Sequence, residues 1–399
     1  MCQEKMTLRQ IADVVGVGDY PEALEEIYAN LTPGEPAVDL RIIDQLQEEY
    51  NVFEEFYDTV KTIGAELNAD PVRSVWVRVA AKFAMDVDVA QARQVPVPKP
   101  DGTALTDFLP LYILLPKISV SVAEYRRRGF PETEMPRIMD NYKAGIRITR
   151  EQTGRPGINA LYYSWLSLFT NSLVFYTNNL QFEMKKLPAA ALWLKNRESG
   201  QVIPLLLRGK VHASGVQMLG SKGYEDEAGA FEPVFSEDAE SFFGNPVIEN
   251  VVQAEPRKFL KSQWDCIGRP GDGCIGMHIP RKADISVETV KKACAAAFEI
   301  AKTRYPEYAP EVILCSSWLL DPLLGDLMGE ESRLAGFMNC FVKYPHKDAG
   351  QSVFGFVFPK RYDSLETLPE DTGLRRKLKQ LYIDGGCIHA YSGIIAIKE

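Results

Sequence analysis

The spacing of the apolar residues changes near position 154, and this change limits the possible folds more than any other feature of the chain. Over residues 43–63 apolar positions recur at steps of three and four, which is the period of an amphipathic helix. Shorter runs of the same kind continue up to Arg150, and then Gly154-Arg-Pro-Gly157 interrupts the pattern. The sequence therefore predicts an all-helical domain at residues 1–150, with a boundary at 151–157.

Beyond this boundary, short apolar runs bounded by turn residues predict strands. The expected strands are residues 173–183, 191–195, 202–207, 210–219, 247–253, 274–279, 312–320, 336–344, 353–358 and 387–397. Helices are expected from Ser286, from Asp321-Pro322 and over 374–383, while the acidic stretch 220–243 is expected to be a surface loop. Residues 151–399 are thus predicted to form a mostly stranded domain with interspersed helices, of the α+β or the α/β class.

The charge of the chain is unevenly distributed. The 399 residues carry a net charge of −9, but residues 1–60 alone carry −11, so the remainder is close to neutral. Neutralising phosphates requires a surplus of Lys and Arg, so no nucleic-acid partner is expected. With 46% hydrophobic and 25% charged residues the chain has the composition of a folded globular protein. An acidic N-terminal segment before a nearly neutral remainder also suggests two units.

The cysteines and histidines of the sequence indicate the redox compartment of the protein and whether it holds a metal ion. The seven cysteines include no Cys-x-x-Cys pair, the four histidines are dispersed, and the first eight residues lack the apolar stretch of a secretory signal. These features predict a reduced, cytoplasmic protein without a metal site.

One uncharged stretch, residues 156–182, is long enough to resemble a membrane span. It contains four asparagines, one glutamine and several serines, and these are unfavourable in hydrocarbon. We therefore expect buried protein core here, and no membrane partner.

The sequence Gly271-Asp-Gly-Cys-Ile-Gly276 matches a dinucleotide-binding pattern only formally. That fingerprint requires glycines that follow a strand and open a helix. Here the glycines precede a predicted strand, and Pro270-Gly271 is an ordinary turn pair. The stretch is interpreted as a turn.

The segment from Met277 to Ser286 is a stronger candidate for a functional site. A strand ends at His278, Pro280 stops sheet pairing, and the cations Arg281 and Lys282 precede a helix that begins at Ser286. Because the N–H groups of a first helical turn attract anions, this loop suggests an anion site. The alternative is a capped helix beside two solvated charges. His278 is either a base for proton transfer or a histidine satisfied in the core.

Two further places combine polar side chains with predicted strand ends. Glu183 is the first charge after the 27 uncharged residues, so its carboxylate is either paired in a salt bridge or acts as a base. In Cys315-Ser-Ser317-Trp318, no glycine flanks a nucleophile, which weakens a covalent role for Cys315 or Ser317. Trp318 either packs in the core or lines a pocket, and Asp321 before Pro322 is first of all a helix cap.

Several of these segments also carry a family resemblance. They are Leu180-Gln-Phe-Glu183, Gly271-Asp272, His278-Ile-Pro280, Ser317-Trp-Leu-Leu-Asp-Pro322, Asp371-Thr-Gly-Leu-Arg-Arg376 and Gly385-Gly386. In this order they resemble a bacterial acyltransferase family with a helical N-acyltransferase N-terminal domain and a GNAT-like C-terminal domain. The resemblance spans nearly the whole chain and is strongest from Thr153 onward.

The resemblance implies a twisted mixed sheet that opens centrally, and an enzyme that uses acetyl-CoA or another acyl-CoA as co-substrate without a metal. The acyl group would pass to an amine of a small molecule or a peptide, with Glu183 or His278 as the base. The expected groups that bind the acyl-CoA are Met277, Arg281, Lys282 and Ser286. The expected substrate pocket consists of Ser317, Trp318 and Asp321.

Two alternatives to this enzyme remain open. One is a catalytically silent GNAT-like module that binds ligands or regulates a partner, because a fold does not fix an activity. The other is a hydrolase that uses Cys315 or Ser317, although no correctly spaced base supports it.

Overall fold

The structure is a computed structural model that describes residues 6–98, 101–218, 223–346, 352–358 and 362–396. The chain divides into two compact units, Met1–Val174 and Phe175–Glu399. This division lies later in the chain than the boundary at 151–157 expected from the sequence. The reason is that the helix after the Gly/Pro cluster packs back onto the helices before it: the Tyr163 hydroxyl, for example, donates to the Ala92 carbonyl at 3.1 Å.

The first unit is helical over its described residues, as predicted. Its helices are α1 (Leu8–Val14), α2 (Ala23–Ala29), α3 (Leu40–Tyr50), α4 (Tyr57–Ala69), α5 (Arg73–Asp86), α6 (Val89–Ala92), α7 (Ala104–Arg127), α8 (Met135–Thr153) and α9 (Ala160–Thr170). Helix α3 shows how local sequence sets these elements. The Asp39 side chain caps its N-terminus, and Ile43 and Leu46 form its buried face. Helix α8 ends at Gly154, whose φ of 80° favours glycine.

Helix α7 is the least expected element, because it contains Pro110 and Pro116. Each proline removes one backbone hydrogen bond and disfavours a helix interior. Most side chains of α7 are nevertheless buried against α4, α5 and α9, and this packing outweighs the local preference. In length and composition α7 also qualifies as a membrane span, but 72% of its apolar window is buried inside the protein, as in the core helix of a globular unit.

The second unit contains two sheets and five helices in its described part. Its strands are β1 (Val174–Thr177), β2 (Leu180–Lys186), β3 (Ala191–Asn196), β4 (Val202–Leu206), β5 (Phe235–Glu237), β6 (Ser241–Ile248), β7 (Val251–Val252), β8 (Arg257–Leu260), β9 (Trp264–Gly268), β10 (Gly273–His278), β11 (Val312–Ser317), β12 (Val342–Pro345) and β13 (Tyr391–Ala396). Its helices are α10 (Val287–Arg304), α11 (Pro322–Met328), α12 (Arg333–Met338), α13 (Ser352–Val357) and α14 (Gly373–Ile383).

The first sheet has the strand order β1-β2-β10-β11-β13-β12, and the second has the order β5-β6-β4-β3-β9. In the first sheet β10 and β11 are parallel, and their described pairing covers Ile275↔Ile313 and Gly276↔Leu314. Both sheets contribute side chains to one core cluster, in which the rings of Trp193 and Tyr344 lie 5.6 Å apart. The mixed sheet and the α+β class are as predicted.

Several local predictions were wrong. Of residues 353–358, expected as a strand, 353–357 belong to helix α13. Of residues 336–344, the first three end α12 and the last three begin strand β12. The expected strand 173–183 is the two strands β1 and β2, while 210–219 contributes only isolated bridges at Val211 in its described part. Residues 219–222 and 397 lie outside the described residues. The expected loop 220–243 contains β5, and β8 and β9 were missed.

Candidate active site

The candidate site lies where β2 and β10 run side by side. The two strands are antiparallel, with Gly276 opposite Glu183 and His278 opposite Gln181. Residues opposite one another, and residues two apart, project from the same face of a sheet. Glu183 and His278 therefore belong to one face of the sheet, at the end of β10 that extends past the described pairing with β11.

The structure brings these two predicted residues into direct contact, although they are 95 positions apart in sequence. The Nε2 atom of His278 lies 2.9 Å from Oε2 of Glu183. The Glu183 side chain is 6% exposed and that of His278 is 33% exposed, so a buried carboxylate holds a ring that reaches the surface. Lys185 Nζ lies 3.7 Å from the same oxygen. An imidazole oriented by a buried carboxylate is an arrangement that can accept and return a proton.

Three further polar residues share this face, and sequence analysis missed them. Ser316 lies opposite Ser392, their hydroxyl oxygens are 2.7 Å apart, and Tyr344 lies opposite Ser392 on the next strand. Burial raises the pKa of Tyr344 to about 12, so this phenol is protonated at neutral pH. A signal in the sequence was the spacing of two between Leu314 and Ser316 in β11, which places a hydroxyl on the same face as a core leucine. The pairing with β13 depends on contacts distant in sequence.

The loop after β10 is built as predicted, with one addition. Arg281 and Lys282 are exposed, and α10 begins directly after Ser286. The Asp284 carboxylate accepts hydrogen bonds from the Thr289 hydroxyl at 2.7 Å and from the Ser286 N–H at 3.0 Å. These contacts, the Thr289 bond first, lower the pKa of Asp284. The segment before α10 carries two exposed cations, and the carboxylates of Asp284 and Glu288 lie next to or within the first turn. An anion there would be attracted by the cations and the helix N-terminus and opposed by both carboxylates.

The predicted pocket residues have well-defined local roles. The Ser317 side chain accepts from the Leu319 N–H at 3.1 Å, and Trp318 is buried. Asp321 accepts from the N–H of Leu323 at 3.0 Å, which caps α11, and from the N–H of His389 at 2.7 Å. Burial raises the pKa of Asp321. Ser317 and Asp321 therefore cap the helical turns that follow them. A role in a substrate pocket stays a prediction for both residues.

The geometry weakens the hydrolase alternative. Cys315 is buried in β11, and burial raises the pKa of its thiol to about 12. A thiol that stays protonated is a poor nucleophile. The Ser317 oxygen is engaged by a backbone N–H. Within the described ranges no group of three or more His, Cys, Asp or Glu side chains is arranged to hold a metal ion.

Three solved structures share this fold. A crystal structure of an acyltransferase in complex with decanoyl-CoA matches with a TM-score of 0.66 at 17% identity, covering 98% of this chain and 100% of that chain. An acyltransferase mutant in complex with octanoyl-CoA gives 0.65 at 15% identity, with the same coverage. An acyltransferase in complex with decanoyl-CoA and teicoplanin gives 0.63 at 16% identity, again with the same coverage. At these identities the likeness establishes the fold.

A search of curated proteins gives no significant match. The family model described as the GNAT-like C-terminal domain matches residues 175–395, which begin where the second unit begins. The GNAT-like fold expected for the second half of the chain is thereby confirmed. Since the matched residues make up more than half of the sequence, the chain belongs to the family of the GNAT-like C-terminal domain.

Proposed function

We propose that the protein is an acyl-CoA-dependent N-acyltransferase, which passes an acyl group to an amine of a small molecule or peptide. The observation that carries this proposal is the contact of 2.9 Å between His278 Nε2 and Glu183 Oε2. It places a carboxylate-oriented imidazole at the end of β10, where the strand runs beyond its described pairing with β11. Such a pair suits removal of a proton from an attacking amine.

An acyl-CoA donor is supported by the ligands of the structural neighbours, which are decanoyl-CoA and octanoyl-CoA. The residues of this chain fit such a donor in part. Arg281, Lys282 and the N-terminus of α10 offer positive charge to a pyrophosphate, whereas Asp284 opposes it. The reaction requires no metal, because the thioester is already an activated acyl group.

The proposed chemistry is a direct attack. His278 accepts a proton from the acceptor amine, and the charge of Glu183 stabilises the imidazolium that forms. The amine nitrogen bonds to the thioester carbonyl carbon while backbone N–H groups near Met277 polarise the carbonyl oxygen. The carbon–sulfur bond then breaks, and the departing CoA thiolate takes up the proton. The amide and CoA are the products.

The acceptor class is supported by one neighbour, which was crystallised with teicoplanin as well as decanoyl-CoA. A small-molecule amine is therefore the first acceptor class to test, and a peptide amine is the second. The six cysteines of the described ranges are free thiols, and the proposal includes a working place in the reducing cytoplasm.

The test is release of CoA thiol from acyl-CoA donors of increasing chain length, with a panel of small-molecule and peptide amines. We expect amine-dependent release in the wild type and about 10²–10⁴-fold slower release in the Glu183→Gln and His278→Gln variants. Glu198→Gln, in the exposed turn between β3 and β4, is the matched control and keeps full activity. CoA binding without release for any amine would favour the catalytically silent module. Absence of CoA binding would refute the acyltransferase and leave the catalytically silent module.

A further inference from the structure

A second group of reactive side chains lies after β11 and before β13, outside the Glu183–His278 pair. Cys387 Sγ is 3.2 Å from Nε2 of His389, and Nδ1 of the same ring is 3.8 Å from Oδ2 of Asp321. The three residues are 6%, 8% and 4% exposed respectively. A thiol in contact with an imidazole that lies near a carboxylate is the arrangement of a nucleophilic site.

The backbone holds this group in place at two points. Asp321 accepts the His389 N–H at 2.7 Å, which fixes the histidine relative to the end of β11. On the other side, Gly385 has a φ of 85°, and a Cβ at Gly386 would lie 2.6 Å from Leu381 Cδ1. The positive φ favours glycine at position 385, and a Cβ at position 386 would require the Leu381 side chain to move. This turn places Cys387 beside the imidazole. The Gly385-Gly386 motif noted in the sequence therefore has a positional role.

The other described cysteines differ from Cys387 in their surroundings. Burial raises the pKa of Cys274, Cys294 and Cys315 to about 12, and it also raises the pKa of the half-buried Cys266 and Cys340. Among these described thiols, Cys387 is the one within hydrogen-bond distance of an imidazole nitrogen. An adjacent base is what converts a thiol into a nucleophile at neutral pH.

An aromatic ring from another segment packs beside this group. The ring of Tyr224 lies 5.2 Å from that of His389, and Tyr224 itself is half-buried between exposed neighbours. Rotation of this side chain is a small motion compared with opening of the core. The reactive group therefore borders a half-buried side chain that can rotate.

We propose that Cys387 is a nucleophile that accepts an acyl group from an acyl thioester, with His389 as its base and Asp321 as the residue that positions His389. The inference rests on the proposed function only for the identity of the donor. His389 Nε2 takes the proton of the Cys387 thiol, and the sulfur attacks the thioester carbonyl. The bond from that carbonyl to the CoA sulfur breaks, and the CoA thiolate receives the proton from His389. The products are S-acylated Cys387 and CoA.

The experiment incubates the whole protein with decanoyl-CoA and no amine, followed by acid quenching, intact mass measurement and peptide mapping. We expect one acyl group on the peptide that contains Cys387, released by neutral hydroxylamine as a thioester is. Cys387→Ala should remove it and His389→Gln should slow its formation by about 10²-fold or more. Cys340→Ala, a half-buried thiol, is the matched control and should acylate like the wild type. Peptide mapping of the acylated wild type tests the proposal even if a variant fails to fold.

Asp321→Asn tests the positioning role through the rate of acylation, with the thermal midpoint as the structural readout. A fall of about 10-fold or more at an unchanged midpoint supports the role, whereas an unchanged rate means that Asp321 only caps α11.

A second donor, p-nitrophenyl decanoate, separates this proposal from the proposed function. If the ester acylates Cys387 while decanoyl-CoA neither acylates Cys387 nor supports amine acylation, the thiol site stands and the CoA-dependent function fails. If decanoyl-CoA supports amine acylation while neither donor modifies Cys387, the thiol site is refuted and the proposed function stands.

Discussion

Gly276 lies opposite Glu183 in the β2–β10 ladder, and its missing side chain leaves room beside the Glu183 carboxylate that contacts His278. A Cβ at Gly276 would lie 3.4 Å from Oε2 of Glu183 and 2.8 Å from Cδ of Lys185. Lys185 is flexible and can move, but the carboxylate is buried and has little room. The geometry of the candidate base therefore depends on a residue that takes no part in the chemistry.

Gly276→Val should displace the Glu183 carboxylate. We expect a stability loss of about 1–3 kcal/mol from overpacking and a fall in turnover of roughly 10²-fold, because small misplacements of catalytic groups are costly. Urea unfolding and CoA-release assays measure the two effects. At Gly373, where the nearest atom to a Cβ is 3.9 Å away, the same substitution should change stability by about 0.5 kcal/mol or less. Full turnover in Gly276→Val would contradict the assigned role of the pair.

The effects of Glu183→Gln and His278→Gln on turnover should not add. If the carboxylate acts through the imidazole, the double variant should be about as slow as the worse single variant, as for residues that act as a unit. The measurement is a double-mutant cycle on kcat/KM for CoA release. Additive losses would mean that the two groups act on separate steps.

Charge changes around the start of α10 should alter CoA affinity in opposite directions. Arg281→Ala should weaken CoA binding by about 10- to 100-fold, since a charged hydrogen bond to phosphate contributes roughly 1.5–3 kcal/mol. Asp284→Asn should strengthen it by about two- to fivefold, because it removes a like charge near the helix N-terminus while keeping an oxygen acceptor. Calorimetric titration of CoA at two salt concentrations measures both, and both effects should shrink at high salt. Equal affinities in all three proteins would place the pyrophosphate elsewhere.

The acid stability of the second unit should depend on Glu237 in β5. Hydrogen bonds from Arg269 and Lys261 lower the pKa of this carboxyl to about 2. A carboxyl whose pKa is depressed by folding stabilises the protein above its unfolded pKa, and this contribution disappears as the pH falls toward 2. Because the cluster lies at the surface, Glu237→Gln should cost only about 1 kcal/mol at neutral pH.

The check on Glu237 is urea unfolding of the wild type and Glu237→Gln at about pH 7 and about pH 3. The stability difference should be smaller at the lower pH. Glu240→Gln, a nearby exposed acid, should show no such convergence. A constant difference at both pH values would mean that the salt bridges do not set the pKa.

The parts of the site that the sequence predicted are those with local signals. Glu183 ends an apolar run, His278 precedes Ile279-Pro280 at a strand end, and Asp321-Pro322 is a helix start, so each could be placed from its neighbours in sequence. The contact between Glu183 and His278 follows once β2 and β10 are adjacent, and that adjacency joins residues 95 positions apart without a local signal.

The parts that were missed depend on distant contacts. The apolar run 353–358 has no period that separates strand from helix, and it is helical where Phe354 packs on Tyr382 of α14 at 4.7 Å between ring centroids. Arg375 donates to the Val357 carbonyl at 2.8 Å at the end of this helix. The contact between Cys387 and His389 was also missed. Asp321 accepts the backbone N–H of His389 from 68 positions away, and such a contact leaves no local signal in the sequence.

The position of β13 between β11 and β12 has a consequence for how the second unit folds. The Ser316–Ser392 contact closes 76 positions, and the Glu183–His278 contact closes 95. Forming either contact costs loop-closure entropy before the sheet gains stability. Folding of the second unit should therefore take roughly milliseconds to seconds. The mostly local helices of the first unit carry no such delay. On refolding, helical circular dichroism should therefore return before CoA release does, with the candidate site among the last parts of the protein to assemble.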